Sequence, residues 1–232
     1  MLREHKMPTR LLSSIAAFIV VIPVFACSAS SQPRAPIPAA KMDATLAPKP
    51  GKQTAVFAGG CFWGTQSVFE RVRGVLETTA GYAGGSAKSA TYDRVSTETT
   101  GHAESVEVIY DPSQLTYGQL LRIFFSVAHD PTQLNRQGPD VGTSYRSAIF
   151  YVSNEQKQIA AAYIAQLDAA KVFPQPIVTQ LTPLKGFYRA EDYHQDYALN
   201  HPDNPYIKVC DLPKIKLLKE EFPQLFVDYK GK

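Results

Sequence analysis

The chain has 232 residues, of which 44% are hydrophobic and 11% aromatic, enough apolar mass for one sizeable core and a better fit to one domain with extensions than to two full domains. Lys and Arg number 24 against 21 Asp and Glu, a formal charge of +3. That balance excludes a basic stripe for nucleic acid and an acidic tail for a basic partner, so no nucleic-acid partner is expected.

The extensions come first. Met1 to Arg10 carries Arg3, Lys6 and Arg10 against Glu4, and Leu11 to Ala26 is an uncharged apolar run. Residues 1–26 read as a secretory signal: basic, then apolar, then small at the boundary, and short for a membrane span. Cys27 follows Ala26, with Val24 three places before it, in the manner of a bacterial lipoprotein processing box, although Phe25 is bulkier than that box usually has. Cys27 is therefore a candidate lipidation site. The chain is expected to be exported, either periplasmic or membrane-anchored as a lipoprotein. Without residues 1–26 it keeps 21 basic against 20 acidic residues, close to neutral. Residues 27–52, with Pro33, Pro36, Pro38, Pro48 and Pro50, read as a disordered Pro/Ala-rich linker, and 53–232 as the folded domain.

The domain opens on Gln53–Ala58 (QTAVFA), a buried strand by its small and β-branched residues, followed by Gly59-Gly60-Cys61-Phe62-Trp63-Gly64. Val68, Phe69 and Val72 then recur at helical spacing. A cysteine at such a turn meets the unpaired N–H groups and positive dipole end of the helix, which favours the thiolate; the alternative for Cys61 is a small buried hydrophobe. Val75–Tyr82 reads as a strand running into the Gly84-Gly85 turn. In Glu104–Tyr110 (ESVEVIY), strict alternation puts Glu104 on the face of Val106 and Val108. Glu104 is then either a solvated group at a strand end or a buried acid with a raised pKa.

Leu115–Ala128 has a broad apolar helical face with Thr116 as its cap, and Pro131 stops it. The long polar stretch Thr132–Tyr145 has no periodicity and reads as a functional loop. Ser147–Val152 is a strand, Ser153 to Gln156 a capping box for a helix to Lys171, Ile177–Leu181 a strand, and Leu212–Phe226 a final amphipathic helix. Between the last two, Phe187 to Asn200 concentrates Tyr188, Tyr193, His194, Asp196 and Tyr197. Strands and helices alternate without a nucleotide-phosphate motif. The expected fold is α+β, a two-layer α/β sandwich with a mixed sheet and helices on its faces.

Once Cys27 is set aside, Cys61 and Cys210 remain, far apart in sequence, as a structural disulfide or a working dithiol. Neither has a second Cys or His at roughly two-to-four-residue spacing, so no metal site is expected. One reading of the thiol is a cysteine-dependent hydrolase or acyl-transfer enzyme, with His102, His129 or His194 as base.

A run of motifs in fixed order points elsewhere. Gly60-Cys61-Phe62-Trp63-Gly64, Gly81-Tyr82-Ala83-Gly84-Gly85, Thr91-Tyr92, Thr100-Gly101-His102-Ala103-Glu104, His129-Asp130-Pro131-Thr132, Asp140-Val141-Gly142-Thr143-Ser144-Tyr145-Arg146-Ser147 and Tyr193-His194-Gln195-Asp196-Tyr197 together resemble a peptide methionine sulfoxide reductase of the A type, from about Val56 to Phe226. The resemblance implies a ferredoxin-like core and reduction of the S epimer of methionine sulfoxide, free or in proteins. By that resemblance Cys61 is the nucleophile and Glu104 the acid, Tyr92 and Tyr145 donate to the sulfoxide oxygen, Asp140 positions substrate, and Phe62 and Trp63 hold its methyl group. It also implies a Cys61 sulfenic acid regenerated by a thioredoxin-like dithiol, no bound cofactor, and a monomer. The chain departs from the family at Gln66, where many members have Glu, and at Ser96, where many have Cys. It also lacks the Gly-rich tail that carries the second cysteine in many members, leaving Cys210 as the candidate resolving thiol.

Overall fold

A computed structural model describes residues 36–231. The expected signal segment at 1–26, Cys27 and the start of the spacer lie outside the described residues. Residues 36–52 are not a disordered linker but a strap packed on the domain. Ile37 is buried, its carbonyl accepts from Arg122 Nε at 2.7 Å, and the Pro38 carbonyl accepts from the Tyr163 hydroxyl at 2.6 Å. Asp43 accepts from Gly118 N–H at 2.7 Å and from the Thr116 hydroxyl at 2.5 Å, at the start of a helix where a carboxylate is favoured. Composition missed this because one isoleucine and one aspartate, with carbonyls captured by distant side chains, order the segment without a regular element.

The elements in chain order are β1 (Gln53–Gly59), α1 (Phe62–Phe69), β2 (Val75–Ala83), α2 (Tyr92–Val95), β3 (Ala103–Tyr110), α3 (Tyr117–Ile123), β4 (Arg136–Gln137), β5 (Asp140–Val141), β6 (Ser147–Tyr151), α4 (Asn154–Ala169), β7 (Gln180–Pro183), β8 (Phe187–Arg189), α5 (Tyr197–Asn200) and α6 (Leu212–Glu221). Six strands form one sheet in the order β7-β6-β1-β3-β2-β8, with β6 and β7 parallel and the other pairs antiparallel. The fold is α+β on a mixed sheet. The main core unites Phe57, Val106 and Val108 of the sheet with Phe69, Leu120, Leu121, Ile159, Tyr163 and Leu218 of the helices. On the other face Val56, Ala58, Ala83, Ala103, Ala148 and Phe150 make a small cluster under Leu184 and Phe187, to which no helix residue contributes. The helices thus cover one face rather than both.

Local chemistry explains the boundaries. Thr116 caps α3 in a full capping box with Gln119, and α3 runs on through a π-helical turn at Phe124–Ala128. At α4 the box is only half formed: Ser153 accepts from Gln156 N–H, but the Gln156 side chain turns to Val152 N–H and the Thr54 carbonyl. The expected strand at 177–181 begins three residues later, because Ile177 N–H goes to Asp168 and Val178 N–H to the Pro131 carbonyl. The last helix stops at Glu221 rather than Phe226, since Phe222 precedes a proline and leaves the helical region at φ −129°.

Candidate active site

β1 delivers the chain to the Gly59-Gly60 turn, where Gly60 takes φ 87°, and Cys61 becomes the N-cap residue of α1. Cys61 is buried and carries a free thiol, and Cys210 is buried as well. The Trp63 N–H pulls the Cys61 thiol towards ionisation, as expected at a helix start. It is outweighed. Burial first, then the charges of Glu104, Asp211 and Asp140, push the thiol well above its ordinary range, so the resting residue is a thiol and not the thiolate that the turn suggested.

Glu104 lies on the buried face of β3, only 4% exposed, opposite Tyr82 of β2. Its Oε2 accepts from the Phe62 N–H, the first of α1, at 3.0 Å. Burial pushes the carboxyl up to about 8, against the pull of that N–H, with Asp140 and Glu98 adding to the rise. Glu104 therefore holds a proton at neutral pH, beside a thiol that also holds one.

The walls are aromatic. Trp63 stacks on Tyr197 at 3.8 Å between centroids and meets Tyr206 edge-on at 6.0 Å. Its indole N–H donates to His194 Nδ1 at 3.1 Å, and the His194 ring lies 4.9 Å from Phe62 and 4.6 Å from Tyr92. Glu191 fixes Tyr92 by accepting from its N–H at 2.9 Å while its other oxygen accepts from the Tyr82 hydroxyl at 2.9 Å. The Tyr92 and Tyr145 phenols lie in the field of Glu104, Cys61 and Asp140, and burial first, then these charges, keep both protonated. Asp140 accepts from the Tyr206 hydroxyl at 2.5 Å. Cys61, Phe62, Trp63, Glu104, Tyr92, Asp140 and Tyr145 thus converge from α1 and its N-cap, α2, β3, β5 and the turn after β5.

Cys210 sits in a π-helical turn, Ile207–Asp211, that packs on α1. The next residue, Asp211, is fully buried, and a side chain at Gly64 would collide with its carboxylate. Lys214 Nζ lies 3.3 Å from Asp211 Oδ1. Sequence reasoning missed Asp211, Lys214, Tyr206 and Glu191, and named Tyr197 without giving it a role. Each is remote in the chain from the cysteine motif, and the only signal was the density of tyrosines and acids after residue 187. A cavity of about 250 Å³ lined by Ala44, Tyr110, Tyr117 and Gln156 lies under the strap and shares no residue with this site.

Each of the three candidate histidines is engaged away from Cys61. His102 accepts from Gly85 N–H at Nδ1 and donates from Nε2 to the Ser86 carbonyl, and His129 donates to the Phe124 carbonyl and accepts from Ser147. His194 is committed to Trp63, and burial lowers its pKa. Among the described residues no group of three or more His, Cys, Asp or Glu is arranged to hold a metal ion.

A family model described as peptide methionine sulfoxide reductase matches residues 53–225. The chain is 59% identical over 177 residues to peptide methionine sulfoxide reductase MsrA 2 of Mesorhizobium japonicum, covering 76% of this chain and 91% of that one. It is 54% identical over 172 residues to MsrA 2 of Synechocystis, covering 74% and 80%. Among solved structures, reduced Mxr1 of Saccharomyces cerevisiae superposes with a TM-score of 0.61 at 32% identity, covering 71% of this chain and 92% of that one. Methionine sulfoxide reductase A of Corynebacterium diphtheriae gives 0.57 at 39% identity, covering 67% and 77%.

Proposed function

Because the chain belongs to the peptide methionine sulfoxide reductase family, we propose that Cys61 is its nucleophile and Glu104 the acid that protonates the leaving oxygen. The reaction is reduction of methionine-S-sulfoxide to methionine. The observation that carries the assignment is the Glu104 carboxyl, buried at the start of α1 beside Cys61 and held up to about 8. An unprotonated oxide is a poor leaving group, and a carboxyl that keeps its proton at neutral pH removes that barrier.

In the proposed step the Cys61 sulfur attacks the sulfoxide sulfur while Glu104 gives its proton to the oxygen. The thiol proton passes to Glu104, the bond from methionine sulfur to oxygen breaks, and the released hydroxide attacks the Cys61 sulfur, which breaks the new sulfur–sulfur bond and frees methionine. Thiol and sulfoxide become sulfenic acid and thioether, a two-electron exchange with no net proton. Tyr92 and Tyr145, protonated phenols near Glu104, donate to the oxygen as charge builds on it. Phe62 and Trp63 accept the methyl group, and Asp140, held by Tyr206, orients the substrate.

A thioredoxin-like dithiol regenerates Cys61, with no bound cofactor. Cys210 is the proposed intermediate thiol, supported by its place beside Asp211, whose carboxylate abuts Gly64 one turn from Cys61. The order β1-α1-β2-β3-α3-β6, with these strands arranged 6-1-3-2, supports reading the core as ferredoxin-like. The basic and apolar run at 1–26 supports export, and Cys27 supports a lipid anchor; a monomer is the proposed state.

Purified protein with a dithiol donor is expected to reduce S-sulfoxide and leave R-sulfoxide untouched; turnover of both epimers alike contradicts the assignment. Intact mass after one turnover without reductant tests Cys210. Wild type ending as a disulfide and Cys210→Ser as a sulfenic acid supports it, whereas sulfenic acid in both assigns resolution to the external donor.

A further inference from the structure

Glu98 touches no reacting group in the chemistry above and only adds its charge to the rise of Glu104, yet it occupies a costly conformation. Its φ is 62°, in the left-handed region where a non-glycine residue loses on the order of 1 kcal/mol. Its carboxylate spans to the turn that precedes β6. Oε2 accepts from the Ser144 N–H at 2.7 Å and the Thr143 hydroxyl at 2.9 Å, and Oε1 accepts from the Ser144 hydroxyl at 2.6 Å. Burial alone would raise this carboxyl, but the bonds from Ser144 and Thr143 outweigh it and hold it below its ordinary range. The turn is shaped to receive it: a Cβ at Gly142, whose φ is 146°, would lie 2.3 Å from the Glu98 carboxyl carbon.

Arg146 makes a second stitch between the same two segments. Its guanidinium donates to the Thr143 carbonyl at 2.8 Å, to the His102 carbonyl at 3.0 Å and to the Gly101 carbonyl at 2.9 Å. Residues 98–102 lead directly into β3 and Glu104, and the clamped turn ends on Tyr145. Two of the groups that would meet the sulfoxide oxygen, Glu104 and Tyr145, thus lie on segments tied to one another through Glu98 and Arg146.

We propose that Glu98 is a positioning residue for the sulfoxide oxygen: its carboxylate fixes the Thr143–Tyr145 turn against the segment leading to Glu104 and so holds the Tyr145 hydroxyl in place. This rests on the reading of Tyr145 as a donor to that oxygen.

The test is a double-mutant cycle between Glu98 and Tyr145, read as single-turnover methionine formation together with kcat and KM. Glu98→Gly removes the carboxylate and also relieves the left-handed strain, so the fold is expected to persist. It should lower single-turnover kcat/KM by about tenfold, the scale of a single charge-assisted hydrogen bond, and add no loss on a Tyr145→Phe background. Glu98→Gln keeps the shape and can still accept from Ser144, so it should fall between Glu98→Gly and wild type, and it carries the same cycle if the glycine variant does not fold. Wild-type kinetics in the Glu98 variants beside a clear loss in Tyr145→Phe overturns the positioning role alone. Additive losses in the double variant also overturn it. Wild-type kinetics in Tyr145→Phe removes the reading on which the role depends, and the role with it.

Discussion

Glu104 and Glu70 stand at opposite ends of α1, and burial pushes both carboxyls up to about 8. Their neighbours separate them. Glu104 accepts the first N–H of α1 and faces the Cys61 thiol and two phenols. Glu70 is the C-cap of α1 and faces a second carboxyl, Asp196, with Arg71 at 3.5 Å and the Thr78 hydroxyl at 3.4 Å. The same raised pKa therefore marks burial in both places and, in the proposed mechanism, proton donation in one. What distinguishes the acid is a reactive sulfur within its field, and what distinguishes the structural carboxyl is a second acid, Asp196, in its place.

The largest expected effect is at the thiol: Cys61→Ser should abolish methionine formation under single-turnover conditions, and any residual turnover sinks the mechanism. Next, Glu104→Gln should slow the same step by about 10²- to 10³-fold, the range for loss of a positioned general acid, while leaving later thiol exchange nearly unchanged. Asp211→Asn should act more mildly. It removes one of the charges that push the Cys61 thiol up, so the pH at which iodoacetamide alkylates Cys61 half-maximally should fall; an unmoved profile would remove Asp211 from the electrostatics of the site.

The smallest kinetic effect is expected at the other end of the helix. Glu70→Gln should leave turnover within about twofold of wild type, since truncation there touches no reacting group. Its signature is stability. A carboxyl whose folded pKa is raised keeps its proton in the fold while the unfolded chain loses it above about 4.5, so stability is lost as pH rises from there towards 8. Glu70→Gln removes that loss, and the melting temperature should rise at pH 8 by a few degrees, about 2–4 °C per kcal/mol, and change little at pH 4. A lower melting temperature at pH 8 would contradict the account of Glu70 as a carboxyl that burial keeps protonated.

Much of this contrast was legible in the sequence on the catalytic side and little on the other. The alternation in β3 placed Glu104 on the apolar face, and the Gly-Gly turn placed Cys61 at a helix start. Periodicity could not say that the thiol would be buried among Glu104, Asp211 and Asp140, because those charges arrive from β3, the π-helical turn before α6 and β5 through long-range packing. It also gave no sign of the Glu70–Asp196 pair, nor of Glu98, whose meaning depends on a left-handed backbone and a turn 45 residues away. The strap at 36–52 was misread for the same reason, since its order comes from Arg122, Tyr163 and the start of α3 rather than from its own composition.

The central claim is that Glu104 is protonated when Cys61 attacks, and single-turnover methionine formation as a function of pH tests it most directly. The Cys61 thiol lies well above its ordinary range, so Glu104, at about 8, is the first of the two to lose its proton. Wild type should therefore hold a constant rate up to neutral pH and slow as pH rises through about 8, while Glu104→Gln should be slow throughout and show no fall in that window. A wild-type rate that climbs through the same window, or a Glu104→Gln rate equal to wild type at pH 7, would contradict it.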